Sequence, residues 1–155
     1  MAKVKMICFD MDGTIADLYG VDGWLEMLRE ENARPYEIAR PMWNMNELNE
    51  VLKMLQINGV EIRVITWLSM NSSEDYKEKT RQAKLQWLKN QGFPFNKFHG
   101  IAYGTTKANC IRQYLDLNEQ AILIDDNAKI RQGWNWGATI DPTTENIIDI
   151  LKALL

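Results

Sequence analysis

Histidine occurs once, at His99, and cysteine twice, at Cys8 and Cys110, with no CxxC spacing between them. So few nitrogen and sulfur donors argue against a zinc site and leave oxygen as the ligand for any metal. Cys8 lies in an apolar run and Cys110 in an expected helix, so both are read as buried reduced thiols rather than a disulfide. The chain also lacks any block of like charge: its net charge of -3 and pI near 5.2 come from interspersed acids and bases. That argues against a surface dedicated to nucleic acid or membrane. No apolar run approaches membrane-spanning length, and Met6 to Phe9, between the first lysines and Asp10, is too short for a signal peptide. A soluble cytoplasmic protein is expected.

What is present points to one domain over 1–155, since 155 residues with 46% hydrophobic composition can bury a sizeable core but not two comfortable ones. Apolar, β-branched runs of strand length recur at Val4–Phe9, Val60–Thr66, Gly100–Tyr103, Ala121–Ile124 and Ala138–Ile140. The middle members lack strict alternation, as strands buried on both faces do.

Helical patterns separate these runs. Leu48, Val51, Leu52 and Leu55 share a helical face, Asn44 with Glu47 suits a capping box, and Gly59 suits a stop. A second helix is expected from about Ser73 to Gln91 with Tyr76, Thr80, Ala83 and Trp87 on one stripe, a third after Thr106, a fourth after Asn127, and a last over Thr144–Leu154. Alternating β and α elements predict an α/β, three-layer, Rossmann-like parallel sheet of about five strands with helices on both faces. The segment 18–41 interrupts that order as a small insertion, with Trp24, Leu25 and Leu28 at helical spacing.

In such sheets ligands bind outside the carboxyl ends of the strands. Asp10 ends the first strand, Thr66 the second, and Asp125 with Asp126 the strand in "QAILIDDN", while Lys107 opens a helix after "GIAYG". Residues far apart in the chain can thus converge on one edge. Four carboxylates against one lysine leave three negative charges in surplus. Each carboxylate pair at ~4 Å costs about 1 kcal/mol in water and about 4 kcal/mol at an effective dielectric of 20. A divalent cation would offset most of this, and an all-oxygen site with room for water and a phosphate oxygen suits Mg²⁺.

"DMDGT", a threonine ending "EIRVIT", a lysine opening "TKANCIRQYL" and "ILIDD" resemble the four ordered motifs of the haloacid dehalogenase (HAD) superfamily, over about residues 4–140. The resemblance implies an HAD-like fold and a Mg²⁺-dependent phosphatase acting on a small phosphorylated substrate. It makes Asp10 the nucleophile that forms an aspartyl-phosphate and Asp12 the general acid and then base. It makes Thr66 and Lys107 the phosphate-binding groups, with Ser69 a competitor for the threonine's part. Asp10, the backbone carbonyl of Asp12, and one of Asp125 and Asp126 would hold Mg²⁺, with Asp126 favoured as the direct ligand. Gly13 and Thr14 would turn the backbone and offer free amides to phosphate.

The insertion corresponds to the cap that selects substrate in that superfamily, here very small. "DMDGTIADL" is similar to the opening of deoxyribonucleotidases, which makes a nucleotide one expected substrate; sugar phosphates and phosphoproteins fit as well. Phosphotransfer to another acceptor, as in mutases, is the enzymatic alternative. A receiver-like phosphoacceptor is the non-catalytic one, although receivers place their acid pair before the phosphorylated aspartate. Trp134 and Trp136 are read as packing residues, Trp67 as a packing or substrate-facing one, Asp17 as a cap or a solvated residue at the exit from the first loop, and His99 as a strand-edge residue.

Overall fold

The computed structural model describes residues 3–69 and 72–155. Strand β1 (Lys3–Phe9) runs between β4 (Glu61–Trp67) and β6 (Glu119–Ile124), with β5 (Lys97–Ile101) outside β4 and β7 (Thr139–Ile140) outside β6. All pairings in this five-stranded sheet are parallel. Phe9 is level with Val64 on one side and Ile124 on the other, so the residues just after them arrive together at one edge.

Alternate side chains explain why the central strands read as continuous apolar runs. Ile7, Phe9, Ile62, Val64, Ile122 and Ile124 pack on one face against α3 (Met45–Ile57) and α7 (Ile147–Lys152). Met6, Cys8, Ile65, Ala121 and Leu123 pack on the other with α5 (Lys107–Cys110), Trp134 and Ile130 of α6 (Ala128–Gln132). This is the expected α/β Rossmann-like sheet with helices on both faces. Cys8 and Cys110 are free thiols, and burial raises the pKa of each.

Local differences from expectation have local causes. The third main strand lies at Lys97–Ile101 rather than 100–103, because the Asn96 backbone amide donates to Ile62 O and its side chain accepts from Ile62 N, both at 2.7 Å. As a half-buried edge strand, it carries no apolar run to mark it. The last helix is shorter than 144–154: an Asp141 turn holds Thr143, and Asn146 caps the amides of Ile148 and Asp149. Asn44 caps α3 through the amide of Glu47, but the Glu47 carboxylate pairs with Lys152 instead of closing the box.

The inserted segment leaves and rejoins the sheet through a two-stranded antiparallel ribbon of β2 (Ala16–Asp17) and β3 (Arg40–Pro41). Between them lie a 3-10 turn capped by Asp17, then α1 (Trp24–Arg29) and α2 (Arg34–Ile38). The insertion rests on α4 (Glu74–Asn90), where Leu18 and Tyr36 pack with Tyr76 and Ala83. Polar ties fix the seat: Glu31 accepts from the amide and hydroxyl of Ser73, and Trp87 Nε1 donates to Ala39 O at 2.7 Å. Among the described residues no helix is long and apolar enough to cross a membrane.

Candidate active site

The parallel register delivers Asp10, Thr66, Asp125 and Asp126 to the carboxyl edge, and the first residue of α5 brings Lys107 beneath them. Lys107 Nζ lies 2.8 Å from Asp10 Oδ1 and 2.8 Å from Asp125 Oδ2. Burial opposes the lysine charge, but the two carboxylates outweigh it and raise its pKa. Burial likewise works against the Asp10 charge, yet Lys107, a hydrogen bond from Asp126 and Lys84 together lower it. Asp10 is thereby held as a carboxylate.

Carboxylate oxygens of Asp10, Asp125 and Asp126 lie within 4.8 Å of one another. Asp125 is occupied on both sides, by Lys107 at one oxygen and by the Asn127 amide at the other, and its backbone carbonyl accepts from Arg131. Asp126 contacts the Thr14 hydroxyl at 3.3 Å and lines the cavity. Burial, then the adjacent Asp10, pushes its carboxyl up to about 7. The three carboxylates form an all-oxygen cluster that could hold a metal ion.

Gly13 shapes this corner. Its φ of +79° belongs to the left-handed region, and a Cβ there would come 2.5 Å from Asp126 Oδ2. The turn expected at Gly13 and Thr14 is present, but the expectation of free amides is corrected: Gly13 N donates to Ala16 O and Thr14 N to Met11 O. These bonds close the loop that lets β2 form. The Thr14 hydroxyl instead serves the site, 3.1 Å from Asp10 Oδ2.

Asp12 faces a different cation, Lys84 of α4, whose Nζ lies 2.9 Å from Asp12 Oδ2, 2.7 Å from Thr66 Oγ1 and 2.9 Å from Trp67 O. Burial pushes the Asp12 carboxyl above its ordinary value, and Lys84 pulls against it. Sequence reasoning missed this lysine and thus counted one cation where there are two; two negative charges are in surplus, not three. A signal existed. Lys84 stands four residues after Thr80 and three before Trp87, inside the stripe that the second helix turns inward.

Above the acids opens a cavity of about 650 Å³. Tyr19, Trp24, Leu25, Leu28 and Tyr36 of the insertion form one wall, and Trp67 and Tyr103 another. Trp67 stacks at 4.8 Å on Tyr103 and donates to Thr105 O, so it both packs and faces the cavity. Ser69 also lines the cavity, with its hydroxyl 2.6 Å from that of Ser72. Trp134 and Trp136 lie elsewhere, donating to Ala121 O and Ala108 O as packing residues. His99 sits on edge strand β5 beside Arg63.

No family model and no curated protein matches the chain. Among solved structures it is similar to a chain in the structure of the Pnkp1/Rnl/Hen1 RNA repair complex, with a TM-score of 0.56 and 16% identity. That match covers 91% of this chain and 42% of the other, so the protein spans less than half the length of that neighbour. A hypothetical protein from Xanthomonas campestris matches at a TM-score of 0.49 and 19% identity, over 90% of this chain and 64% of that one. At such identities the likeness to the first is one of fold.

Proposed function

We propose that the protein is a Mg²⁺-dependent phosphatase of the haloacid dehalogenase type, hydrolysing phosphate monoesters through Asp10. The observation that carries this reading is the separate wiring of two neighbouring acids. Asp10 is paired with Lys107 and its pKa is lowered, while Asp12 is paired with Lys84 and its pKa is raised. A nucleophile must stay ionised and a general acid must hold a proton, so opposite shifts suit the two parts.

In this mechanism an Asp10 carboxylate oxygen attacks phosphorus, and the bond to the leaving oxygen breaks as Asp12 gives it a proton. Asp12 then takes a proton from water, whose oxygen attacks phosphorus and releases Asp10 and phosphate. Lys107 and the Thr66 hydroxyl stabilise charge on the phosphoryl oxygens. The carboxylates of Asp10 and Asp126 and the backbone carbonyl of Asp12 would hold Mg²⁺, which supplies neutralisation of the phosphoryl charge. Asp125, with both oxygens already engaged, would orient Lys107 instead.

The aromatic walls favour a small phosphorylated metabolite with a planar group, such as a nucleotide. Purified protein with Mg²⁺ should release p-nitrophenol from p-nitrophenyl phosphate, and a panel of nucleotides, sugar phosphates and phosphopeptides should rank nucleotides first. Equal turnover by wild type and Asp10→Asn would sink the nucleophile assignment.

A further inference from the structure

We infer that Lys84 is a positioning residue of the reaction, a buried cation that aims the Asp12 carboxyl and the Thr66 hydroxyl together from helix α4. The inference rests on the phosphatase reading above and extends it to a residue outside the four motifs. An ammonium group carries three hydrogens, and Lys84 has an acceptor for each: Asp12 Oδ2 at 2.9 Å, Thr66 Oγ1 at 2.7 Å and Trp67 O at 2.9 Å.

Two consequences follow from the hydrogen count. Thr66 accepts from Lys84, so its own hydroxyl hydrogen must point elsewhere, and the cavity is what it lines. Lys84 is committed to protein acceptors and cannot take a phosphate oxygen without giving one up; Lys107 is the lysine available for that work. The Lys84 side chain is sealed from solvent, with Tyr36 of the insertion 5.0 Å from Nζ. A lysine serving only to fill space would be poorly chosen here, because burying its charge costs more than a methionine would.

The test compares leaving groups in the full-length protein with Mg²⁺. Dinitrophenolate departs without a proton, whereas phenolate and alkoxide need one, so a fault in aiming Asp12 slows formation of the aspartyl-phosphate from phenyl phosphate but not from dinitrophenyl phosphate, while any effect on hydrolysis of that intermediate is common to both. In that first step, read as the initial burst of released phenol or dinitrophenol, Lys84→Met should lose roughly tenfold or more on phenyl phosphate relative to dinitrophenyl phosphate. Equal losses of that burst on both, or no loss, would overturn the aiming of Asp12 by Lys84.

Lys84→Met leaves Asp12 buried without its partner, so the double variant Lys84→Met/Asp12→Asn provides a version with no stranded charge. On phenyl phosphate, Lys84→Met should cost less in the Asp12→Asn background than in wild type, because only its hold on Thr66 remains to be lost; an equal cost in both backgrounds would overturn the route through Asp12. Independently of turnover, a crystal structure of Lys84→Met should show the Asp12 carboxyl and Thr66 hydroxyl displaced, and finding both unmoved would refute the assignment. Wild type inactive on every phosphate ester would defeat the phosphatase reading instead.

Discussion

Lys107 and Asp125 meet at 2.8 Å with both side chains almost wholly removed from water. The same ammonium reaches Asp10 at 2.8 Å, so one cation serves two buried acids. Lys107→Met strands both. The expected cost is about 3–5 kcal/mol of stability, measured by urea denaturation. Turnover should fall by roughly 10²–10³ if Lys107 stabilises the transferring group. An active, fully stable variant would contradict both.

Gly13→Ala tests the corner beside Asp126. The new methyl would meet the Asp126 carboxylate at a strained φ, so the loop or the carboxylate must move. A loss of about 1–3 kcal/mol is expected, together with weaker Mg²⁺ binding by titration calorimetry. Unchanged affinity would mean that Asp126 does not hold the ion.

Mg²⁺ binding should depend on pH through Asp126. Its carboxyl titrates near 7 in the folded protein, so below that value an ion must displace a proton, and above it none is in the way. Affinity therefore falls as pH falls, by up to about tenfold per unit for one displaced proton. Thermal midpoints with and without Mg²⁺ at pH 8 and pH 6 check the sign: the stabilisation by Mg²⁺ should be larger at pH 8. Chelation should abolish turnover.

Trp87→Phe probes the seat of the insertion. It keeps a ring in the core but removes the indole N–H that satisfies Ala39 O. Stability should drop by about 1–3 kcal/mol from the unpaired buried carbonyl and lost volume. Because Ala39 belongs to the strap leading into β3, substrate KM should rise more than kcat falls.

The central strands and the convergence of Asp10, Thr66, Lys107, Asp125 and Asp126 were legible because parallel strands buried on both faces leave continuous apolar runs, and the residues after such runs must lie at one edge. Strand β5 was misplaced because an edge strand has no such mark; asparagine clamps at Asn96 set its start. Lys84 escaped notice because helical periodicity sorts residues by polarity, and a lysine in an inward stripe looks like a solvated neighbour until its partners are known. Those partners, Asp12 and Thr66, lie 72 and 18 residues away in the chain.

The ribbon of β2 and β3 places Ala16 directly opposite Pro41. Whatever the chain does between them, it must come back to within one strand spacing of where it left. The ribbon therefore fixes both ends of the detour whatever its length, while its middle is seated on α4 through Tyr36, Glu31 and Ala39. Replacing it with a tight hairpin would alter what reaches the acids and would also open the side of α4 that carries Tyr76, Ala83 and Lys84.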